Sequence, residues 1–371
     1  MSPWNPAQPG DALEAIETPA LILDLDVFES NLQRMMDALQ GRQVRLRPHA
    51  KSHKCPEIAL RQIALGAVGV CCQKVSEAAV FVAAGVKDIL ITNEVVGAGK
   101  IRRLLELAAK ARIGVLVDHP QQVQALAVAA QASGTGLDVY IEVDVGARRC
   151  GTLPGEEAVR LAELITAAAP LRFAGLHCYH GSAQHFREPQ ERADAIRGAA
   201  ELARMTKQQI EARGIPVGII TGAGTGTFVH ERDSGVYGEL QAGSYAFMDR
   251  DYGDNRSGTD DVRFDHALFV LTTVMSRPTA DRAVVDAGLK ASSVDSGMPS
   301  VWQRPDLKYV KASDEHGVIT TADADSLALG DRLMLVPGHC DPTVNLYDTL
   351  VCVRGGKVEA LWPIAARGAL L

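Results

Sequence analysis

The sequence predicts an α/β protein, a closed parallel (β/α)8 barrel of the TIM type followed by an antiparallel β-domain. Three observations predict it. Eight short apolar, β-branched runs alternate with Ala- and Leu-rich stretches of helical period. No G-x-G-x-x-G follows an early strand, which argues against a doubly wound dinucleotide domain. Beyond about residue 255, alternating runs separated by Gly, Pro, Asp and Asn replace the helical texture.

The elements follow in order. A strand at residues 20–24 and a helix at 27–39 precede the barrel. The eight barrel strands are expected at 44–47, 68–72, 88–92, 113–117, 138–143, 172–177, 217–221 and 240–245. Helices are expected between them at 56–65, 76–84, 100–111, 120–132, 155–168 and 189–212. The trailing domain offers strands at 268–275, 283–287, 332–336 and 350–353, with Gly355-Gly356 as a hairpin turn. The first residues are expected to return to this domain. The division is therefore a barrel over 25–255 and a β-domain made of 1–24 with 256–371.

Composition excludes several classes of partner. The 371 residues are 47% hydrophobic and 22% charged, as in ordinary globular proteins, and the net charge is −7. No basic block or basic helix face stands out, so neither nucleic acid nor an anionic membrane is an expected partner. No apolar run approaches the roughly 20 residues that span a bilayer. The opening MSPWNPAQPG lacks the basic start and apolar core of a secretory signal, so a cytoplasmic location is expected. Seven scattered cysteines without CxxC spacing fit a reducing compartment. Cys71 and Cys72, adjacent on a strand, should point to opposite faces.

In a (β/α)8 barrel the chemistry lies where strands end. Strand one runs into RLRPHAKSHK, with Lys51 between His49 and His53. A strand-end ammonium is costly unless the lysine is covalently occupied, as a Schiff-base lysine is. A basic surface loop would also explain this segment taken alone. Strand two ends in Gln73 and Lys74, and strand three in Asn93 and Glu94. Strand five leads to Asp144, Arg148 and Arg149, and strand six to His177, Tyr179, His180 and His185. Strand seven ends in TGAGTGT and strand eight in GSYAFMD, loops that commonly build a barrel phosphate site. A lysine and a phosphate cradle across one barrel mouth together suggest pyridoxal phosphate.

Near the C-terminus, PGHCDPTVN places His339 and Asp341 two apart. On an extended segment they share a face and Cys340 points away. A nitrogen/oxygen pair completed by water suits Mn²⁺ or Mg²⁺, whereas a thiolate favours Zn²⁺. A structural role explains an isolated HxD equally well.

In that order, RPHAKSHK, DVGARRCG, YHGSAQH, GAGTGT, QAGSYAFMD and PGHCDPTVN resemble the D-threonine aldolase and D-serine dehydratase group. That group belongs to the alanine-racemase-like (fold type III) pyridoxal-phosphate enzymes. The resemblance runs from about residue 18 to about residue 368 and implies a homodimer with a cofactor-binding barrel and a C-terminal β-domain. It implies Lys51 as the Schiff-base lysine, with Lys54 solvated. Arg149 is implied near the cofactor's phenolic oxygen and Tyr179 near its ring. Gly224, Thr225, Gly226, Gly243, Ser244 and Tyr245 are the implied phosphate ligands. Racemases carry an arginine facing the pyridine nitrogen where this chain has Gln241, which weighs against racemisation.

The dehydratase branch resembles HxC at the metal segment and the aldolase branch HxD. Asp341 therefore implies a divalent-metal-dependent aldolase acting on small D-3-hydroxy amino acids, with D-threonine giving glycine and acetaldehyde. His185 is implied as the base for the β-hydroxyl. The alternatives are a D-3-hydroxyaspartate aldolase, a D-serine or hydroxyaspartate dehydratase, and a non-catalytic carrier of pyridoxal phosphate.

Overall fold

The computed structural model describes residues 4–259, 261–322 and 327–371; residues 1–3 of the N-terminal segment lie outside the described residues. The chain opens with strand β1 (Ala20–Asp24) and helix α1 (Leu25–Leu39), whose first turn is capped by the Asp24 carboxylate. Eight parallel strands then alternate with helices. They are β2 (Arg45–Leu46), β3 (Val70–Cys72), β4 (Asp88–Glu94), β5 (Arg112–Val117), β6 (Leu137–Glu142), β7 (Leu171–His177), β8 (Ile219–Gly222) and β9 (Glu239–Leu240). The intervening helices are α2 (Pro56–Ala64), α3 (Val75–Ala83), α4 (Ala98–Ala108), α5 (Pro120–Ser133), α6 (Glu156–Ala167), α7 (Pro189–Glu211) and α8 (Phe228–Asp233), and α9 (Arg250–Gly253) follows the last strand.

The sheet order runs β2-β9-β8-β7-β6-β5-β4-β3. The His49–Cys71 bridge, with Val68 N donating to Leu46 O and Cys71 N to Pro48 O, joins its two ends. The barrel is therefore closed.

Side chains divide by strand parity. Cys71, Leu90, Leu116 and Tyr140 fill the barrel interior, while Cys72, Ile91, Val115 and Ile141 pack outward under the helices. The two adjacent cysteines do face opposite ways.

Four barrel strands, β2, β3, β8 and β9, are shorter than their sequence suggests. At β2, Pro48 has no N–H to continue the ladder. At the end of β9, Gly243 turns the chain toward His49, where a Cβ would lie 2.6 Å from the His49 carbonyl oxygen. The expected strand 240–245 therefore ends at Leu240 and closes in a tight turn, Ser244–Ala246.

Charged residues at the strand starts form a belt around the N-terminal rim. Arg47 lies 3.0 Å from Glu239 and 2.7 Å from Asp88, and Arg45 bonds Glu239 at 2.9 Å. Further round, Asp138 accepts from Arg112 at 2.8 Å and from Arg172 at 2.7 Å. Gly69 permits the approach, since a Cβ there would lie 2.8 Å from an Arg47 guanidinium nitrogen. Burial works against the Arg47 charge, but Glu239 and Asp88 outweigh it and raise its pKa.

The second sheet has nine strands. They are β1 with β10 (Leu268–Thr279), β11 (Arg282–Val285), β12 (Ser300–Val301), β13 (Leu307–Ala312), β14 (Gly317–Thr321), β15 (Arg332–Val336), β16 (Thr349–Arg354) and β17 (Lys357–Pro363). Strand β1 sits between β10, antiparallel, and β16, parallel, so the sheet is mixed at this one place. Gly355 and Gly356, both at positive φ (55° and 76°), form the two-residue β16–β17 hairpin turn.

After β15 the chain enters α10 (Cys340–Val344), with His339 as its N-cap. This differs from the extended segment expected for residues 339–341. Asp341 and Pro342 both suit a first helical turn, the one for charge and the other for its fixed φ. Cys340 N donates to Asp249 Oδ2 at 2.9 Å, while Arg250 N and Asp251 N donate to Pro337 O and Gly338 O. These bonds hold the segment against the barrel's C-terminal rim.

Replacing Arg47 with Leu removes the buried partner of the buried Glu239 carboxylate and one partner of the partly exposed Asp88, and should cost about 3–5 kcal/mol of stability. Urea unfolding checks this, and an unchanged midpoint would show that the rim belt contributes nothing.

Candidate active site

A cavity of about 380 Å³ opens at the C-terminal ends of the barrel strands. Lys51, Arg149, Tyr179, His185, Gly224, Thr225, Gly243, Ser244, His339 and Asp341 all line it. Gly226 and Tyr245 stand behind the lining. The Gly226 amide donates to Gln184 Oε1 at 3.1 Å, and the Tyr245 hydroxyl accepts from Gln62 at 3.1 Å.

Lys51 sits in the tight turn Ala50–Ser52, whose N-cap is His49. The Lys51 amide donates to His49 Nδ1 at 3.3 Å, and Nε2 of that ring lies 2.9 Å from the Thr92 hydroxyl. Burial pushes the His49 pKa well down, so the ring is neutral. Lys51 Nζ has no partner among the described residues. Lys54 behaves differently from the solvated side chain expected. It is buried and pairs with Glu77 at 3.0 Å, because positive φ (50°) at Lys54 turns its side chain inward before α2 begins. His53 is buried too, its pKa pushed down to about 3, and its Nδ1 accepts from Cys55 N.

Opposite Lys51, the turns after β8 and β9 approach each other. The backbone amides of Gly224, Thr225, Gly243 and Ser244 have no protein acceptor among the described residues. The turns are also sterically committed to glycine, since a Cβ on Gly224 would lie 2.5 Å from Gln184 Oε1. Four converging free amides suit one anion such as a phosphate. A free lysine facing them fits pyridoxal phosphate.

Behind this cradle stands a buried brace absent from sequence expectations. Gln184 donates to the Thr227 hydroxyl at 2.7 Å, which donates to Glu231 at 2.8 Å. Burial pushes the Glu231 carboxyl up to about 7.

Arg149 reaches the cavity from the loop after β6. Its guanidinium lies 3.4 Å from Glu142 and 5.5 Å above the Tyr179 ring. Glu94 adjoins Glu142, and burial together with that neighbour raises its carboxyl to about 7. Among the described residues, Glu94, Asp118 and Cys150 form the one group of three close metal-ligand atoms, and it lies outside the cavity lining.

At the mouth, His185 Nδ1 lies 2.6 Å from Asp251, and the ring lies tilted against Tyr252 with centroids 5.7 Å apart. Burial alone would raise the Asp251 carboxyl, but hydrogen bonds from His185 and Arg187 outweigh it and hold it at about 2. Nε2 is the ring nitrogen left for chemistry.

His339 repeats this pattern, with Nδ1 2.8 Å from Asp295 and Nε2 uncommitted. Asp341 receives the Ser244 hydroxyl at 3.4 Å. Burial alone would lower the His339 pKa, yet Asp341, Asp295 and Asp249 outweigh it and raise it. Such negative potential suits a cation, and the N/O donor set suits a hard one. Cys340 is no competitor, because burial pushes its thiol well up. The orienting carboxylates Asp251 and Asp295 carried no signal in the sequence, since each is an ordinary loop or helix-end acid until the fold sets it against its histidine.

A free lysine and an amide cradle in a closed barrel with a trailing β-domain define the alanine-racemase class of architecture. The chain matches the alanine racemase N-terminal domain over residues 23–251 and a putative serine dehydratase domain over 267–353. It is 50% identical over 364 residues to a D-threonine aldolase of Arthrobacter sp, covering 98% of this chain and 96% of that one. A 3-hydroxy-D-aspartate aldolase of Paracoccus denitrificans is 46% identical over 369 residues, covering 98% and 95%. The crystal structure of D-threonine aldolase from Filomicrobium marinum matches with a TM-score of 0.98 at 49% identity, covering 99% and 100%. The chain belongs to the alanine-racemase-like family, in the group that joins D-threonine aldolase to D-serine dehydratase. Among the described residues no helix is long and apolar enough to cross a membrane.

The Glu231 carboxyl yields a pH prediction. A carboxyl raised on folding stabilises the native state below its unfolded value, and this is lost as pH rises from about 4.5 through about 7. Glu231→Gln should therefore flatten the stability curve over that window and exceed wild type above it. Denaturant midpoints across the window test this, and parallel curves would refute it.

Proposed function

We propose that the chain is a pyridoxal-phosphate- and divalent-metal-dependent aldolase. It splits D-3-hydroxy amino acids, D-threonine foremost, into glycine and an aldehyde. The observation that carries this reading is that Lys51, His185, His339 and Asp341 line one cavity. Bound pyridoxal phosphate supplies a sink for the electron pair left on Cα when the Cα–Cβ bond breaks. A divalent ion held by His339 and Asp341 supplies Lewis-acid polarisation of the β-hydroxyl.

The side chains do the remaining work. Lys51 is the residue that would hold the cofactor covalently. The amides of Gly224, Thr225, Gly243 and Ser244 would hold its phosphate, and Arg149, above the Tyr179 ring, would hold its phenolic oxygen. His185 Nε2 takes the β-hydroxyl proton while Asp251 stabilises the imidazolium that forms. The O–H electron pair becomes the second C–O bond of the aldehyde, and glycine forms on reprotonation at Cα.

Asp341, where a thiolate would favour zinc, supports Mn²⁺ or Mg²⁺ and the aldolase over the dehydratase. Arg187 is already committed to Asp251 and Asn255. It is therefore no free partner for a second substrate carboxylate. A mere cofactor carrier has no use for the His339–Asp341 pair contributed by the β-domain. The reading extends to a cofactor-binding barrel over 25–255, a β-domain of 1–24 with 256–371, and a cytoplasmic homodimer, as the motif resemblance implies.

Protein supplied with pyridoxal phosphate and Mn²⁺ should convert D-threonine to acetaldehyde and glycine. Ammonia with a 2-oxo acid as products would refute the aldolase, and no turnover of any D-3-hydroxy amino acid would favour the carrier. Lys51→Ala should lose the visible band of the lysine-bound cofactor and Lys54→Ala should keep it. His185→Asn should lower kcat by about 10²–10⁴-fold. Asp341→Ala should keep the band yet lose metal-dependent turnover; undiminished activity would remove the metal site.

A further inference from the structure

The polar side chains on the cavity floor are committed in one direction, and the commitment begins outside the cavity. Glu239 is fully buried at the start of β9. Its carboxylate faces Arg45 and Arg47 and accepts the Thr221 hydroxyl at 3.0 Å. A hydroxyl has one proton, so the Thr221 oxygen must act as acceptor on its other side. Gln241 Nε2 donates to it at 2.8 Å. That fixes the amide, whose Oε1 then faces His177 Nε2 at 3.1 Å. His177 must therefore carry its proton on Nε2, which leaves Nδ1 without a hydrogen-bond partner. Every member of the chain is at least nine-tenths buried.

Two uncommitted atoms result. The second hydrogen on Gln241 Nε2 has no acceptor among the described residues, and His177 Nδ1 has no donor. Two other buried groups beside them are already spent. His49 uses both ring nitrogens, and Ser52 donates to the His49 carbonyl. A ring nitrogen with a lone pair, buried on this floor, finds its donor at Gln241.

We propose that Glu239 and Thr221 are positioning residues that lock the Gln241 amide, so that its free N–H is donated to the cofactor's ring nitrogen. The inference rests on the pyridoxal-phosphate reading given above. An amide N–H hydrogen-bonds a pyridine nitrogen but does not transfer its proton, so the bound ring stays unprotonated. Without the Thr221 hydroxyl nothing distinguishes the two ends of the amide, and a flipped Gln241 would present an oxygen lone pair to the nitrogen's lone pair. Glu239 thus sets the polarity of a contact it never touches.

Nitrogen-15 NMR of holoprotein reconstituted with ring-labelled pyridoxal phosphate tests this. Wild type should show the resonance of a hydrogen-bonded, unprotonated pyridine. Thr221→Val should move it toward that of a pyridine without a donor and weaken cofactor binding roughly tenfold, the effect of one buried hydrogen bond. Thr221→Ser should restore both. Gln241→Leu, which removes the donor itself, should reproduce the displaced resonance and decides the matter if Thr221→Val fails to fold. A pyridinium resonance in wild type, or variants indistinguishable from it, would overturn the relay while leaving the cofactor reading intact. Wild-type protein that binds no pyridoxal phosphate would overturn both.

Discussion

The rest of the structure hangs on one buried carboxylate, Glu239. A charge with no solvent contact is tolerable only if its partners are fixed in number and direction. Here Arg45 of β2 and Arg47 just beyond it satisfy it on one side and the Thr221 hydroxyl on the other. The arginines tie the last barrel strand to the first, so the ion pairs sit at the seam where the sheet closes. The threonine passes the same polarity upward to Gln241 and His177 on the cavity floor. Closure and chemistry share a residue because strand ends at opposite rims are only a few residues apart.

The cavity is made electrically distinctive by burial more than by charge. His49, His53 and His177 are all held neutral by desolvation, which leaves Lys51 and Arg149 as the cationic side chains facing the amide cradle. The mouth reverses the sign. Asp251, Asp295 and Asp341 gather there and orient or accompany the two remaining histidines, His185 and His339. The inside thus offers donors suited to an anion, and the outside offers carboxylates suited to a cation. The two halves come from different parts of the chain. The α10 segment reaches the barrel rim only because Asp249 caps Cys340 and the loop at 337–338 bonds to α9.

Much of this was legible in the sequence. The strand and helix alternation appears in the periodicity because each barrel strand must be apolar on both faces and each helix on one. Strand and helix positions agreed with expectation to within a few residues except at β9, where the ladder ends early, ahead of Gly243. Ten of the twelve expected site residues line the cavity, whereas Gly226 and Tyr245 stand behind it. Neighbours of a loop motif share its sequence signal whether or not they face the ligand. Lys54 shows the opposite error. It reads as a surface lysine, yet a positive φ and a single carboxylate, Glu77, make it internal.

By itself the sequence determined the barrel, the trailing β-domain, the place of Lys51 at a strand end and the two-residue spacing of His339 and Asp341. These depend on period, strand-end position and residue type, which are local properties. Only the tertiary structure decided which carboxylate orients which histidine, which amides are left free, and that residues 339–341 lie at a helix start instead of on a strand. It also decided the polarity of the Glu239–Thr221–Gln241–His177 chain. Hydrogen-bond direction and burial are relations between residues far apart in sequence, and they have no value until the fold brings those residues together.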